Sequence, residues 1–169
     1  MFNGIKKLTL VALGFILISC GATFAMKPLP TSISSASTTK YYLSEIIDNT
    51  AGDFDAANRG AFINTIHDGL AQAGMITTSK EKASHIVKIT VTAYKRRNGA
   101  MRFLFGALGG SDTFNAIVEL SDQSGKNITS GNLANSDASI MGSADDMVRA
   151  SGIKIVEYLT GVDKNKKES

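Results

Sequence analysis

The clearest pattern along the chain is an alternation. In residues 83–94 (ASHIVKITVTAY), Val87, Ile89, Val91 and Ala93 fall on one side of an extended chain and Lys88, Thr90 and Thr92 on the other. That is the period-2 signature of a strand with one buried face. Residues 113–121 repeat it, with Phe114, Ala116, Val118 and Leu120 inward. Asp122-Gln123-Ser124-Gly125-Lys126 then supplies turn chemistry before a weaker strand from Asn127 to about Ala134. An earlier strand is predicted over residues 40–47 (KYYLSEII), closed by the turn residues Asn49 to Asp53.

Two stretches carry the longer helical period. From about Asp55 to Ala73, Phe62, Ile66, Leu70 and Ala73 recur at spacings of four, four and three. Asp53 or Asp55 is available as N-cap and Gly74 as stop. Gly60 and Gly69 inside this run lower its helix propensity and point to close packing. Ser143-Ala144-Asp145-Asp146 resembles a capping box, followed by Met147, Val148, Ile155, Val156 and Leu159 on one side and Gly161 at the end. The order β-α-β-β-β-α predicts an α+β fold: an antiparallel sheet of three to four strands with two helices packed on one face.

Ahead of this domain the pattern changes character. Lys6-Lys7 precede an uncharged apolar run of 12 residues, Leu8 to Ser19, which is short of the ~20 needed to cross a bilayer and reads as an export signal. At its end, Leu17-Ile18-Ser19-Cys20 resembles the lipobox of bacterial lipoproteins. That resemblance implies cleavage before Cys20, with residues 1–19 removed and Cys20 acylated as the membrane attachment. Several acyl chains give a stable anchor where one does not. A second cut is available after Ala25, where Thr23-Phe24-Ala25 suits ordinary signal peptidase and would release a soluble periplasmic domain. Cys20 is the only cysteine of the chain, so no intrachain disulfide can form, and its position favours the lipidated form. Gly21 after the cysteine, in place of aspartate, favours the outer membrane by analogy, on its periplasmic face. Residues 20–39 contain both prolines and many Ser and Thr, and read as a flexible tether. The expected organisation is therefore a signal over 1–19, a tether over 20–39, one α+β domain over 40–162 and a polar tail over 163–169.

Composition narrows the function. The chain is 43% apolar and 20% charged, as in a packed globular protein. Losing Lys6 and Lys7 reduces its 18 basic residues to 16 against 15 acidic ones. A near-neutral domain lacks the broad cationic surface that holds nucleic acid, so no nucleic-acid partner is expected.

No catalytic, cofactor or metal site is expected either. His67 and His85 stand in no metal-ligand spacing, and Gly106-Ala107-Leu108-Gly109-Gly110 lacks the Lys-Ser/Thr ending of a phosphate loop. Asp145 and Asp146 are adjacent on a helix and point about 100° apart, so they cannot face one substrate as a carboxylate pair. Dipole and cap duty accounts for them.

One segment departs from ordinary loop chemistry. Between the two best strands, residues 98–111 (NGAMRFLFGALGGS) set Met101, Arg102, Phe103, Leu104, Phe105 and Leu108 among four glycines. A hairpin connection is normally short and polar. Three readings are open: a cap folded over the end of the sheet, a surface for a protein partner or for self-association, or a contact with the lipid interface.

These segments together resemble small bacterial envelope lipoproteins of the domain of unknown function 4410 type. The resemblance runs from about Lys40 to Leu159. It is carried by a helix ending in Ala73-Gly74, by Lys82-Ala83-Ser84-His85-Ile86-Val87 leading into a strand, by Arg102 with its Gly-rich turn, and by Asp122 and Gly125 after a strand. More distantly the arrangement is similar to surface-exclusion and complement-resistance lipoproteins, whose longer Gly-Ala segment sits where residues 99–110 sit here. The resemblance implies a non-enzymatic envelope lipoprotein and gives no catalytic residues. The expectation is an outer-membrane lipoprotein whose periplasmic domain binds protein or forms a homo-oligomer. The alternative is a carrier of a small molecule or lipid, with a pocket lined by Ile89, Val118 and Ile155 between helices and sheet.

Overall fold

A computed structural model describes residues 23–26, 38–97, 100, 104, 110–137 and 143–161. Five strands form one sheet: β1 (Thr23–Met26), β2 (Tyr41–Asp48), β3 (His85–Lys95), β4 (Asp112–Ser121) and β5 (Asn127–Asp137). Their spatial order is β1-β5-β4-β3-β2. Helices α1 (Ala56–Gln72) and α2 (Ala144–Thr160) pack against one face of it. The α+β class is as the hydrophobic pattern predicts, and the sheet departs from the expectation in two ways.

First, it is mixed. β3, β4 and β5 are joined in antiparallel pairs, but β2 lies parallel to β3. The reason is the connection: α1 carries the chain back along the sheet after β2, so β3 starts from the same end, whereas antiparallel neighbours need only a reversing turn. Second, there is a fifth strand. Thr23–Met26, a stretch with no strand signal of its own, pairs antiparallel with Gly131–Ala134 and closes the β5 edge.

The core follows the alternation closely. Val87, Ile89, Val91, Phe114, Ala116, Val118 and Leu120 are buried on the helix side, facing Phe62, Ile66 and Leu70 of α1 and Val148, Ile155 and Leu159 of α2. Ala93 is the exception in β3. The ladder slips between Val91 and Ala93, and this bulge turns Tyr94 inward to 6% exposure in its place. Phe54, Phe62, Tyr94 and Phe114 then stack at tilted and edge-on angles with ring centroids 5.0–6.5 Å apart. In α1, Asp55 is the N-cap, accepting from the Asn58 N–H, while Ala73 forms the exposed C-cap and is not part of the buried stripe.

The two helices meet through glycine. A Cβ built on Gly69 would lie 2.7 Å from Val156 Cγ2, and one on Gly152 would lie 3.0 Å from Thr65. Gly60 has nothing within 4 Å. Gly69 thus explains its own presence by close approach, and Gly60 does not. The capping box of α2 forms as the sequence implies, with Ser143 and Asp146 exchanging side-chain and backbone hydrogen bonds, and Gly161 closes the helix at φ 69°.

The opposite face of the sheet carries no described helix. Across it, the register aligns Glu45, Lys88, Glu119 and Ser130 in one row and Ile47, Thr90, Ile117 and Asn132 in the next. Lys88 and Glu119 pair across the strands at 3.5 Å, and Ile117 is 36% exposed.

Candidate functional site

The described residues capable of chemistry do not converge. Among the described residues, no three His, Cys, Asp or Glu side chains stand close enough to hold a metal ion. His67 lies on the solvent side of α1, 3.4 Å from Asp68, and both are exposed. His85 begins β3 against Tyr41, with ring centroids 6.0 Å apart, and burial pushes its imidazole below the usual histidine range despite the nearby Asp122 carboxylate. Asp145 and Asp146 open α2. Hydrogen bonds from Ser143 hold the Asp146 carboxyl below its ordinary value, as a capping role requires.

Two further carboxylates are held low by local donors. Asp48 accepts from the Thr50 hydroxyl at 2.6 Å, the Thr50 N–H at 2.8 Å and the Arg59 guanidinium at 3.1 Å. Asp122 accepts from the Ser124 hydroxyl and from the Ser124 and Lys126 backbone at the β4–β5 turn. Both organise turns.

The most heavily built polar feature lies where the unusual segment leaves the sheet. The Arg97 backbone N–H donates to Asp112 Oδ1 at 2.6 Å, and its Nε approaches the same oxygen at 3.4 Å. Nη1 donates to the Gly110 carbonyl at 2.7 Å and Nη2 to the Asp137 carbonyl at 3.1 Å. The side chains of Arg97 and Asp112 are 3% and 0% exposed. One guanidinium therefore ties together the end of β3, the start of β4 and the end of β5. In the sequence Arg97 follows Lys95 and Arg96, and nothing local marks which of the three turns inward.

In the sequence, the candidate interaction loop lies between Arg97 and Asp112. Leu104 has helical backbone and is 69% exposed, the most exposed large apolar side chain among the described residues. Met101, Arg102, Phe103, Phe105, Leu108 and the lipidation candidate Cys20 lie outside the described residues.

A separate groove of about 250 Å³ runs along the outer side of the helix pair, lined by Thr65, Gly69, Gln72, Ile153, Val156 and Thr160 among others. It is distinct from the space between helices and sheet, where Ile89, Val118 and Ile155 are fully buried in one continuous core. No described helix is long and apolar enough to cross a membrane.

Comparison with known proteins places this architecture. The family model described as Domain of unknown function (DUF4410) matches residues 50–142. The chain belongs to this family. The matched segment of this DUF4410 member runs from the turn before α1 through β3, residues 98–111, β4 and β5. No curated protein matches the chain. Among solved structures it is similar to a PelC dodecamer from Paraburkholderia phytofirmans in space group P6, at 15% identity and a TM-score of 0.59, covering 82% of this chain and 97% of that one. A single-substitution variant of the same PelC dodecamer, in space group C2, gives 14% identity and a TM-score of 0.60, covering 84% and 99%. At such identities the likeness is one of fold.

Proposed function

We propose that this DUF4410 protein is a non-enzymatic envelope lipoprotein, anchored to the outer membrane through Cys20, whose periplasmic α+β domain assembles with further copies of itself. The observation that carries the reading is the match to PelC, a dodecamer in two crystal settings, over nearly the whole of that chain. Two features of the domain support it. One face of the sheet carries no described helix, and there the 36% exposed Ile117 sits among Thr90, Asn132, Lys88 and Glu119, a polar and wettable mixture of the kind found at non-obligate interfaces. Beyond Tyr41, which exchanges backbone hydrogen bonds with Met75 and Thr77, the outer edge of β2 is paired with no further described strand. The rival carrier function gains nothing from the core, since the residues that would line its pocket pack against one another.

Native mass spectrometry and light scattering on the mature chain test the assembly. A closed ring of many copies is the expected species. A monomer at every concentration tested overturns self-assembly. Intact mass with membrane fractionation of wild type and Cys20→Ser tests the anchor: acyl mass on Cys20 and membrane recovery lost in the variant are expected, and a mature amino terminus at Met26 overturns it.

A further inference from the structure

The outward side of α2 is laid out symmetrically about one residue. Ser151 and Ile155 are fully buried, and Ile153 between them is 46% exposed, so Ile153 stands on the side of the helix turned from the core. Arg149 comes four residues before it and Glu157 four residues after. Four residues of helix advance about 6 Å and turn about 40° past a full circle, so the three side chains form one i±4 ridge. Its centre is apolar, one end is cationic and the other anionic.

Both charges have capacity for a further partner. Arg149 is exposed, and the neighbouring Asp146 carboxylate is already engaged by the Ser143 hydroxyl and backbone. Lys154 donates to Glu157 Oε2 at 2.8 Å, which leaves Oε1 for a second donor. Beside the ridge runs the groove of about 250 Å³, with Ile153 and Val156 on one wall and Thr65 and Gly69 on the other. The helices approach closely there because position 69 has no side chain.

Resting on the self-assembly reading, we propose that copies of this chain pair through α2 about a two-fold axis at Ile153, with each Ile153 seated in the groove of the other copy. A two-fold contact sets one patch against itself. Reversing the helix about Ile153 brings Arg149 of each copy beside Glu157 of the other, because the two lie at equal distances on either side of the axis. The i±4 ridges then interleave, which is the commonest class of helix packing. The reversal also lays the positive end of each helix dipole along the negative end of the other. A partner of uniform charge would match one end of the ridge and be repelled by the other, which is why the second copy is the fitting occupant. Such a contact closes at two copies, so a larger closed assembly combines it with a second surface.

Disulfide trapping tests the contact on the full chain in a Cys20→Ser background, where an introduced cysteine is the only thiol. Ile153→Cys should oxidise to a covalent dimer in several-fold higher yield than Lys126→Cys in the exposed β4–β5 turn. Arg149→Glu sets like charges together and should raise the concentration needed for pairing by about tenfold or more. Adding Glu157→Arg should restore pairing, with the thermal midpoint of the fold held in both variants. Dimer yield at 153 no higher than at 126, while native mass spectrometry of the wild type still shows assemblies, overturns the contact and leaves self-assembly standing. Trapping at 153 that Arg149→Glu does not weaken overturns the proposed register. A wild type that stays monomeric at every concentration overturns the self-assembly reading and the contact together.

Discussion

Arg97 and Asp112 form an ion pair with side chains 3% and 0% exposed, in which the Asp112 carboxylate also receives the Arg97 backbone N–H. Removing one member of such a pair leaves a desolvated charge behind, which costs about 3–5 kcal/mol. Asp112→Ala is expected to lower the unfolding free energy by that amount in urea titration. Asp112→Asn keeps an oxygen for the backbone N–H and should lose distinctly less. Equal losses would show that the carboxylate charge carries the whole effect and that its shape and acceptor oxygen add nothing.

Tyr41 ties the edge strand to the far end of α2. It is fully buried, and its hydroxyl donates to the Leu159 carbonyl at 2.8 Å. Tyr41→Phe removes the donor and strands the carbonyl, so a loss of about 1–2 kcal/mol is expected. Burial pushes the Tyr41 hydroxyl up to about 12, with the nearby Tyr158 adding to the shift. A folded value above the unfolded one near 10 means that this contribution is present below pH 10 and is lost as pH rises toward 12. Alkaline unfolding followed by tyrosinate absorbance should show that loss in wild type and a shallower one in Tyr41→Phe.

The two glycines of α1 make a paired prediction. Gly60 has open space where a Cβ would go, so Gly60→Ala should stabilise by about 0.5–1 kcal/mol through helix propensity alone. At Gly69 the same methyl meets the branched carbons of Val156 at 2.7 and 2.9 Å. Gly69→Leu should destabilise by about 1–3 kcal/mol through overpacking. Thermal unfolding of both variants checks the contrast, and stabilisation at both sites would mean that the helices are free to separate.

His85 should make stability fall on mild acidification. Its folded value is depressed, mainly by burial, so the unfolded chain takes up a proton near pH 6.5 while the folded chain resists. The contribution is complete above that pH and is lost as pH falls through it. Urea midpoints measured at pH 7.5 and 5.5 should differ in wild type, and His85→Gln should remove most of the difference.

Much of the domain was legible because its periods are clean. The alternation in β3 and β4 named nearly every inward residue, and the 4-4 spacing of Phe62, Ile66 and Leu70 named the buried stripe of α1. Caps at Asp55, Ser143 and Gly161 were readable because capping is local chemistry. The lipobox-like Cys20 and the apolar residues of 98–111 were visible for the same reason, since each is a feature of a few consecutive residues.

Four features were decided only by the tertiary structure, each because it depends on partners distant in the chain. The parallel β2–β3 pair depends on where α1 delivers the chain, and β1 exists only because β5 offers an unpaired edge. The bulge that exchanges Ala93 for Tyr94 is fixed by the aromatic group formed with Phe54 and Phe114. Arg97 is singled out from its basic neighbours by a carboxylate 15 residues away and a carbonyl 40 residues away. Sequence alone determined the periodic faces and the caps, because a residue's nearest neighbours set them. Strand order, register and the choice of the inward charge came from contacts across the sheet, whose geometry no local pattern encodes.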